Sequence, residues 1–134
     1  MHRCLQLAKQ AAKKGNSAVG AVIVKDSEII SEAEEAVNTR NDITCHAELE
    51  TIRSAIQNLK TNNLYGYALY STHEPCIMCS YAIRFYRITK VVYLHPASYL
   101  GGISSSTPLL TSDQLPSHWG DVPIIVQLKM ENNI

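Results

Sequence analysis

The sequence lacks a surplus of charge of either sign, and it lacks a long apolar run. Twelve Lys and Arg residues balance 12 Asp and Glu residues, so the formal net charge at pH 7 is zero. Proteins that bind polyanions non-specifically need surplus Lys and Arg to neutralise phosphates, and this balance gives that class no support. No stretch approaches the roughly 20 apolar residues that a membrane-spanning helix needs. We therefore expect no membrane segment.

A secretory signal is also missing from the sequence. Residues 1–14 carry four basic residues at helical spacing and no long apolar run. Of the four cysteines, Cys4 and Cys45 are isolated, whereas Cys76 and Cys79 form a close pair that is better explained by metal binding than by a disulfide. A reducing, cytoplasmic setting is the simplest interpretation.

What the chain does contain is enough apolar material for a core. Hydrophobic residues make up 46% of its 134 residues and charged residues 18%, which predicts one folded domain over residues 1–134. A hairpin followed by alternating helices and strands predicts a three-layer α/β/α sandwich around a mixed five-stranded sheet. The predicted helices cover 2–14, about 45–60 after a Thr44 N-cap, and 76–87; the predicted strands cover 19–24, 28–37, 67–71, 90–94 and 124–129.

Residues 95–121 show no clear secondary structure in the sequence, which is long for a connection within a compact domain. Gly101-Gly102, with Ser104-Ser105-Ser106 shortly after, predicts a flexible segment, which is either a lid over the site or an idle surface loop. A short helix is predicted over 108–115. Tyr99 and Trp119 are candidates for stacking on a planar base, with the alternative that they only pin the segment to the body.

Two short motifs carry the chemistry of the sequence: His46-Ala47-Glu48 and Pro75-Cys76-Ile77-Met78-Cys79. One imidazole and two thiols are ligands that Zn²⁺ prefers, and three protein ligands leave a tetrahedral ion one open position, as in catalytic sites. Cys76 and Cys79 share a helix face at this spacing, and the positive end of a helix dipole favours thiolate there. The alternative is a structural zinc site, with Cys45 as its fourth ligand.

These motifs, with 18-AVGAVIV-24 and 70-YSTHEPCIMC-79 around them, resemble the cytidine deaminase-like superfamily. Within it the chain is most similar to the branch that holds guanine deaminases, yeast-type cytosine deaminases and bacterial tRNA adenosine deaminases. The resemblance runs from about Leu5 to Leu94. It departs at Ile43, where many members have Pro, and at His73, where Leu or Cys is frequent.

The resemblance implies a zinc-dependent deaminase in which Glu48 moves protons between water, a ring nitrogen and the leaving ammonia. It also implies that Asn38 and the backbone N–H of Ala47 contact the substrate. His73 is a further candidate, because it ends a strand that leads to the site and ligands gather at the carboxyl ends of strands in α/β sheets.

A small molecule is the substrate that the sequence favours, with a free nucleobase as its class and guanine as the best single choice. Deamination of adenosine in tRNA, or of a free nucleoside, is the alternative. Zero net charge and a tail whose only Lys or Arg after Leu100 is Lys129 argue against nucleic acid. A non-catalytic protein on a deaminase scaffold is a further alternative, which an intact Glu48 disfavours. By resemblance we expect a homodimer.

Overall fold

The computed structural model describes residues 1–130 and places five strands in one sheet, flanked by helices on both faces. The spatial order of the strands is β2-β1-β3-β4-β5. β1 is antiparallel to β2 and β3, whereas β3, β4 and β5 are parallel. The α-helices are α1 (His2–Lys13), α2 (Val37–Arg40), α3 (Ala47–Leu59) and α4 (Ile77–Phe85); the strands are β1 (Gly20–Lys25), β2 (Glu28–Glu34), β3 (Ala68–His73), β4 (Lys90–His95) and β5 (Ile124–Gln127).

Alternation along β1 divides the core between the two faces of the sheet. Ala21 and Ile23 are fully buried with residues of α3 and α4 on one face. Val22 packs with Cys4 and Leu7 of α1 on the other face. This arrangement confirms the predicted three-layer α/β/α sandwich.

The predicted hairpin of β1 and β2 is present, and it turns at Asp26 and Ser27. Both residues have positive φ, 50° and 66°, as two-residue hairpin turns require. β2 ends at Glu34 rather than at residue 37, because the chain leaves the sheet and forms the one-turn helix α2.

Thr44 is not the N-cap of α3, which corrects the prediction. Its backbone N–H and hydroxyl both donate to Asp42 Oδ1 in a local turn, at 2.8 and 2.7 Å. A side chain that is bound to the preceding turn is not free to cap the helix. His46 is the N-cap residue instead, so the helix begins directly at the first metal motif.

The segment after β4 is anchored rather than free, against the prediction of a flexible Gly-Gly segment. Gly102 donates to the Pro75 carbonyl at 2.8 Å, and Leu110 donates to the Gly102 carbonyl at 3.0 Å. The buried Arg84 guanidinium donates to three backbone carbonyls, those of Leu109, Leu110 and Ser112. The predicted helix at 108–115 is absent; a short 3₁₀ helix covers Ser117–Trp119.

No helix within residues 1–130 is long and apolar enough to cross a membrane.

Candidate functional site

Strands β1 to β4 each have one end at the same edge of the sheet. The carboxyl ends of β3 and β4 lie side by side, with His73 paired to His95. Because β1 is antiparallel to β3, its first residues lie at the same edge, and the end of β2 lies beside them. Two helices, α3 and α4, begin at this edge. A cavity of about 220 Å³ opens there, lined by Ser17, Val19, Glu35, His46, Glu48, His73, Glu74, Cys76, Ala97, Ser98 and Tyr99.

The predicted metal ligands converge beside this cavity. His46 and Cys76 are the N-cap residues of α3 and α4, and Cys79 lies in the first turn of α4. His46 Nδ1 lies 3.5 Å from each sulfur, and the two sulfurs lie 3.7 Å apart. The two helix N-termini, with their positive dipole ends, therefore present one nitrogen and two sulfurs to a common point.

These distances test whether zinc fits. A tetrahedral ion with Zn–S bonds of about 2.3 Å and a Zn–N bond of about 2.0 Å places its sulfurs about 3.8 Å apart and the nitrogen about 3.5 Å from each sulfur. The observed triangle of 3.5, 3.5 and 3.7 Å matches that arrangement. In residues 1–130 this ligand cluster consists of His46, Cys76 and Cys79, and Cys45 is not part of it. The geometry thus favours a three-ligand site over a four-ligand structural site.

The two thiols of the cluster have very different pKa values. The hydrogen bond between Cys76 and Cys79 lowers the pKa of Cys76, and His46 lowers it further. The same hydrogen bond, together with burial, raises the pKa of Cys79. One sulfur is therefore held as a thiolate, the form that coordinates a metal.

Glu48 lies in the first turn of α3, is 4% exposed and lines the cavity. Its Oε1 accepts a hydrogen bond from the Ser71 hydroxyl at 2.8 Å, and its Oε2 lies 3.7 Å from Cys79 Sγ. Burial is the largest cause that raises the pKa of this carboxyl. Ser71 thus holds one oxygen of the carboxylate, and the other oxygen lies beside the sulfur of Cys79.

The three predicted substrate contacts lie in different places. His73 lines the cavity. Ala47 is fully buried directly after His46, at the first position of α3. Asn38 is exposed on α2, is not among the cavity-lining residues, and donates from Nδ2 to the Gly15 carbonyl at 3.0 Å.

The two aromatic candidates, Tyr99 and Trp119, also lie in different places. Tyr99 lines the cavity and is 78% exposed. Trp119 instead packs edge-on against Tyr81 and Phe85 of α4, with ring centroids 4.9 and 5.2 Å apart. Trp119 therefore pins its segment to the body, as the alternative interpretation stated.

Two buried carboxylates of the site, Glu35 and Glu74, were not predicted from the sequence. Glu35 follows β2 and lines the cavity, and it accepts backbone hydrogen bonds from Ser17 and Val37. Glu74 precedes Pro75 and accepts from the backbone N–H groups of three residues after β4, namely Ala97, Ile103 and Ser104. A lone Glu at the end of a strand resembles many surface residues, so only its position directly before a metal motif could have drawn attention to Glu74.

Comparison with known proteins identifies the family. The model of the cytidine and deoxycytidylate deaminase zinc-binding region matches residues 1–95. The chain belongs to this deaminase family. It is therefore a hydrolytic deaminase, and the predicted superfamily and the predicted zinc cofactor are confirmed.

Individual relatives of this deaminase are informative about substrates. It is 45% identical to a tRNA-specific adenosine deaminase of Aquifex aeolicus, over 83% of this chain and 74% of the relative. A structure from studies of A-to-I editing by tRNA:A34 deaminases at the wobble position of transfer RNA superposes with a TM-score of 0.85 and 31% identity, over 95% of both chains. Guanine deaminase of Bacillus subtilis gives a TM-score of 0.68 and 41% identity, over 71% of this chain and 61% of that one.

These relatives overturn two predictions. The free nucleobase was the wrong substrate class, because relatives at 36–45% identity are named tRNA-specific adenosine deaminases. The argument against a nucleic-acid partner fails for the same reason. Net charge reports non-specific attraction to many phosphates, whereas an enzyme that takes one flipped nucleotide into a pocket recognises it through the base and through few phosphates.

Proposed function

We propose that this deaminase converts adenosine to inosine in tRNA, at the wobble position of the anticodon. The observation that carries the proposal is the superposition on a tRNA:A34 deaminase structure over 95% of both chains. The named activity of the Aquifex relative supports it independently. The earlier alternative, rather than the free nucleobase, is thus the function that we adopt.

We assign the metal site to His46, Cys76 and Cys79, which would hold Zn²⁺. When bound, zinc supplies Lewis-acid activation of water at neutral pH. The chain's own contribution is a positively polarised corner at two helix N-termini. The carboxylate of Glu48, which transfers protons in this proposal, borders that corner.

Glu48 is the proton carrier in this proposal. Oε2 faces the metal ligands, whereas Oε1 is engaged by Ser71, so Oε2 is the oxygen that takes a proton from water. Glu48 delivers that proton to N1 of the adenine while a C6–O bond forms. It then takes the proton of the hydroxyl group now on C6 and delivers it to the exocyclic nitrogen; the C6–N bond breaks, the C6 oxygen becomes a carbonyl, and ammonia leaves. Adenosine and water thereby become inosine and ammonia.

The cavity suits a single nucleotide from an RNA loop. Loop nucleotides are already unstacked and can enter a pocket, with neighbouring bases stacked on aromatic side chains. Tyr99 stands at the cavity with most of its ring exposed and offers such a surface. The backbone N–H of Ala47 and the side chain of His73 are assigned to the base. We keep Asn38 as a contact to RNA outside the cavity, in line with its exposed position.

The test is inosine formation and ammonia release by the zinc-loaded protein on an anticodon stem-loop with adenosine at the wobble position. The same stem-loop with guanosine there is the matched RNA control, and free guanine, cytosine, adenine and adenosine are the small-molecule controls. We expect inosine from the adenosine stem-loop alone. Ammonia from free guanine without inosine in RNA would overturn the proposal.

Three further expectations stay predictions: a single domain over residues 1–134, a homodimer, and a cytoplasmic location. Light scattering of the purified protein tests the second of these directly.

A further inference from the structure

His73 differs from the other cavity residues, because a neighbouring hydroxyl determines which of its two ring nitrogens carries the proton. His73 Nδ1 lies 2.9 Å from the hydroxyl oxygen of Thr72. That oxygen also accepts the backbone N–H of Gly20 at 3.2 Å. Thr72 is 1% exposed, so the bonds of its hydroxyl are made within the protein.

The direction of the hydrogen bond follows from counting donors. Gly20 N–H can only donate to the Thr72 oxygen, which has a second lone pair and a single hydrogen of its own. Because Thr72 is buried, that hydrogen needs an acceptor, and leaving it without one would be costly. Among residues 1–130 the hydrogen-bond partner left for that hydrogen is His73 Nδ1. Nδ1 is therefore an acceptor, and the proton of the neutral imidazole lies on Nε2.

The surroundings of the ring keep it neutral. Burial lowers the pKa of His73, and the adjacent His95 lowers it further. The two rings lie with centroids 5.0 Å apart. Nε2–H of His73 makes no hydrogen bond to residues 1–130, and the ring lines the cavity. A fixed neutral donor with no protein acceptor is suited to a ligand acceptor.

We infer that His73 is a specificity-determining residue that donates its Nε2–H to a ring nitrogen of the target adenine, with Thr72 as its positioning residue. The inference rests on the proposed function. Adenine offers three ring acceptors, and N1 receives the proton from Glu48 in the reaction. N3 and N7 are left for His73. The base then presents its C6 edge to Glu48, while its N3 or N7 accepts the hydrogen bond from His73 at the end of β3.

The enzymatic test compares His73→Phe with the wild type. Phe keeps a ring and loses the donor, so kcat/KM on the adenosine stem-loop is expected to fall about 2- to 13-fold, the value of one neutral hydrogen bond. His73→Gln, whose amide nitrogen reaches about as far as Nε2, is expected to recover most of the loss. His118→Phe is the matched control, because His118 is exposed and is not among the cavity-lining residues; it should change kcat/KM by less than about 2-fold.

The acceptor is identified with two modified stem-loops, which carry 7-deazaadenosine or 3-deazaadenosine at the target position. On the analogue that lacks the acceptor, wild type and His73→Phe should agree, because the hydrogen bond is already absent. A full His73→Phe penalty on both analogues would overturn the inference. So would a failure of His73→Gln to improve on His73→Phe.

The tautomer is tested separately by ¹⁵N NMR of the zinc-loaded wild-type protein, without any substrate. Nε2 of His73 is expected to be protonated and Nδ1 not, and Thr72→Val is expected to reduce that preference. Thr72→Ser is the control that retains the hydroxyl. A proton found on Nδ1 in the wild type would overturn the inference, whatever the substrate. If the wild type forms no inosine, the proposed function is overturned instead, and the proposed hydrogen bond from His73 to adenine falls with it.

Discussion

The buried carboxylate of Glu74 anchors the segment that follows β4, and Glu74→Ala is expected to destabilise the protein. Glu74 is 3% exposed and accepts hydrogen bonds from the backbone N–H groups of Ala97, Ile103 and Ser104, at 3.2, 3.1 and 3.0 Å. The Ser104 hydroxyl also donates to it, at 2.9 Å. Removal of the carboxylate leaves these donors without their partner.

The magnitude follows from the number of backbone donors. At a net value of about 1 kcal/mol for each of the three bonds, the free energy of unfolding should fall by about 3 kcal/mol. The corresponding fall in Tm is roughly 10 °C for a domain of this size. Glu32→Ala is the matched control, because Glu32 forms a surface ion pair with Arg3 and its side chain is 39% exposed. Such pairs contribute about 0.2–1 kcal/mol.

Gly101 provides a second test of the same contact. A Cβ built at Gly101 would lie 2.0 Å from Glu74 Oε2, so Gly101→Ala must displace the carboxylate. The two substitutions should therefore be non-additive, with Gly101→Ala less costly in the Glu74→Ala protein than in the wild type.

Urea unfolding of the four proteins of this cycle measures both effects, with zinc content determined for each because Glu74 lies close to Cys76 in the sequence. Hydrogen exchange of the Ile103 and Ser104 amides should accelerate in Glu74→Ala. The reasoning is refuted if Glu74→Ala costs no more than Glu32→Ala, or if the two substitutions simply add.

Three further predictions concern the site and the core. Glu48→Gln should retain zinc and lose about 10²- to 10⁴-fold in kcat, since the proton carrier is gone while the shape of the side chain is kept; metal analysis and single-turnover kinetics check this, and near wild-type turnover would refute the assigned role. The cavity lining contains neither Lys nor Arg, so few phosphates should be neutralised at the target nucleotide, and RNA binding should depend weakly on salt, with a slope of log K against log salt of about −2 or shallower; a slope near −6 would show that basic residues outside the cavity dominate binding. Burial raises the pKa of Cys4 to about 11. The unfolded thiol therefore ionises first, and the free energy of unfolding should fall as pH rises from about 9 toward 11. Unfolding of Cys4→Ala over the same range should lack that contribution.

The metal site could be predicted from the sequence because its chemistry depends on residue types at short spacing. Cys76 and Cys79 lie three apart at the start of a helix, so local geometry alone brings the two sulfurs together. The position of His46 beside them required the fold, since it lies on another helix. The shared family pattern supplied that long-range information in advance.

The segment after β4 was not accessible in this way. A Gly-Gly pair close to three serines has the composition of a flexible linker. In the structure, however, Glu74 lies against Gly101 and Ser80 against Gly102, and neither leaves room for a Cβ. A glycine that leaves room for a neighbour and a glycine that provides flexibility look the same in a sequence. The choice between them depends on partners that are distant in the chain.

The substrate class was decided wrongly for a related reason. Net charge sums over the whole chain, whereas recognition of one nucleotide depends on a few groups at one cavity. The sequence by itself determined most of the strand and helix pattern, because that pattern follows from local periodicity, and the family resemblance of its two metal motifs pointed to the zinc ligands and to Glu48. Only the tertiary structure decided which polar groups line the cavity and which nitrogen of His73 bears its proton, because antiparallel and parallel pairing brings Gly20, Glu35, Thr72 and His95 to one edge of the sheet.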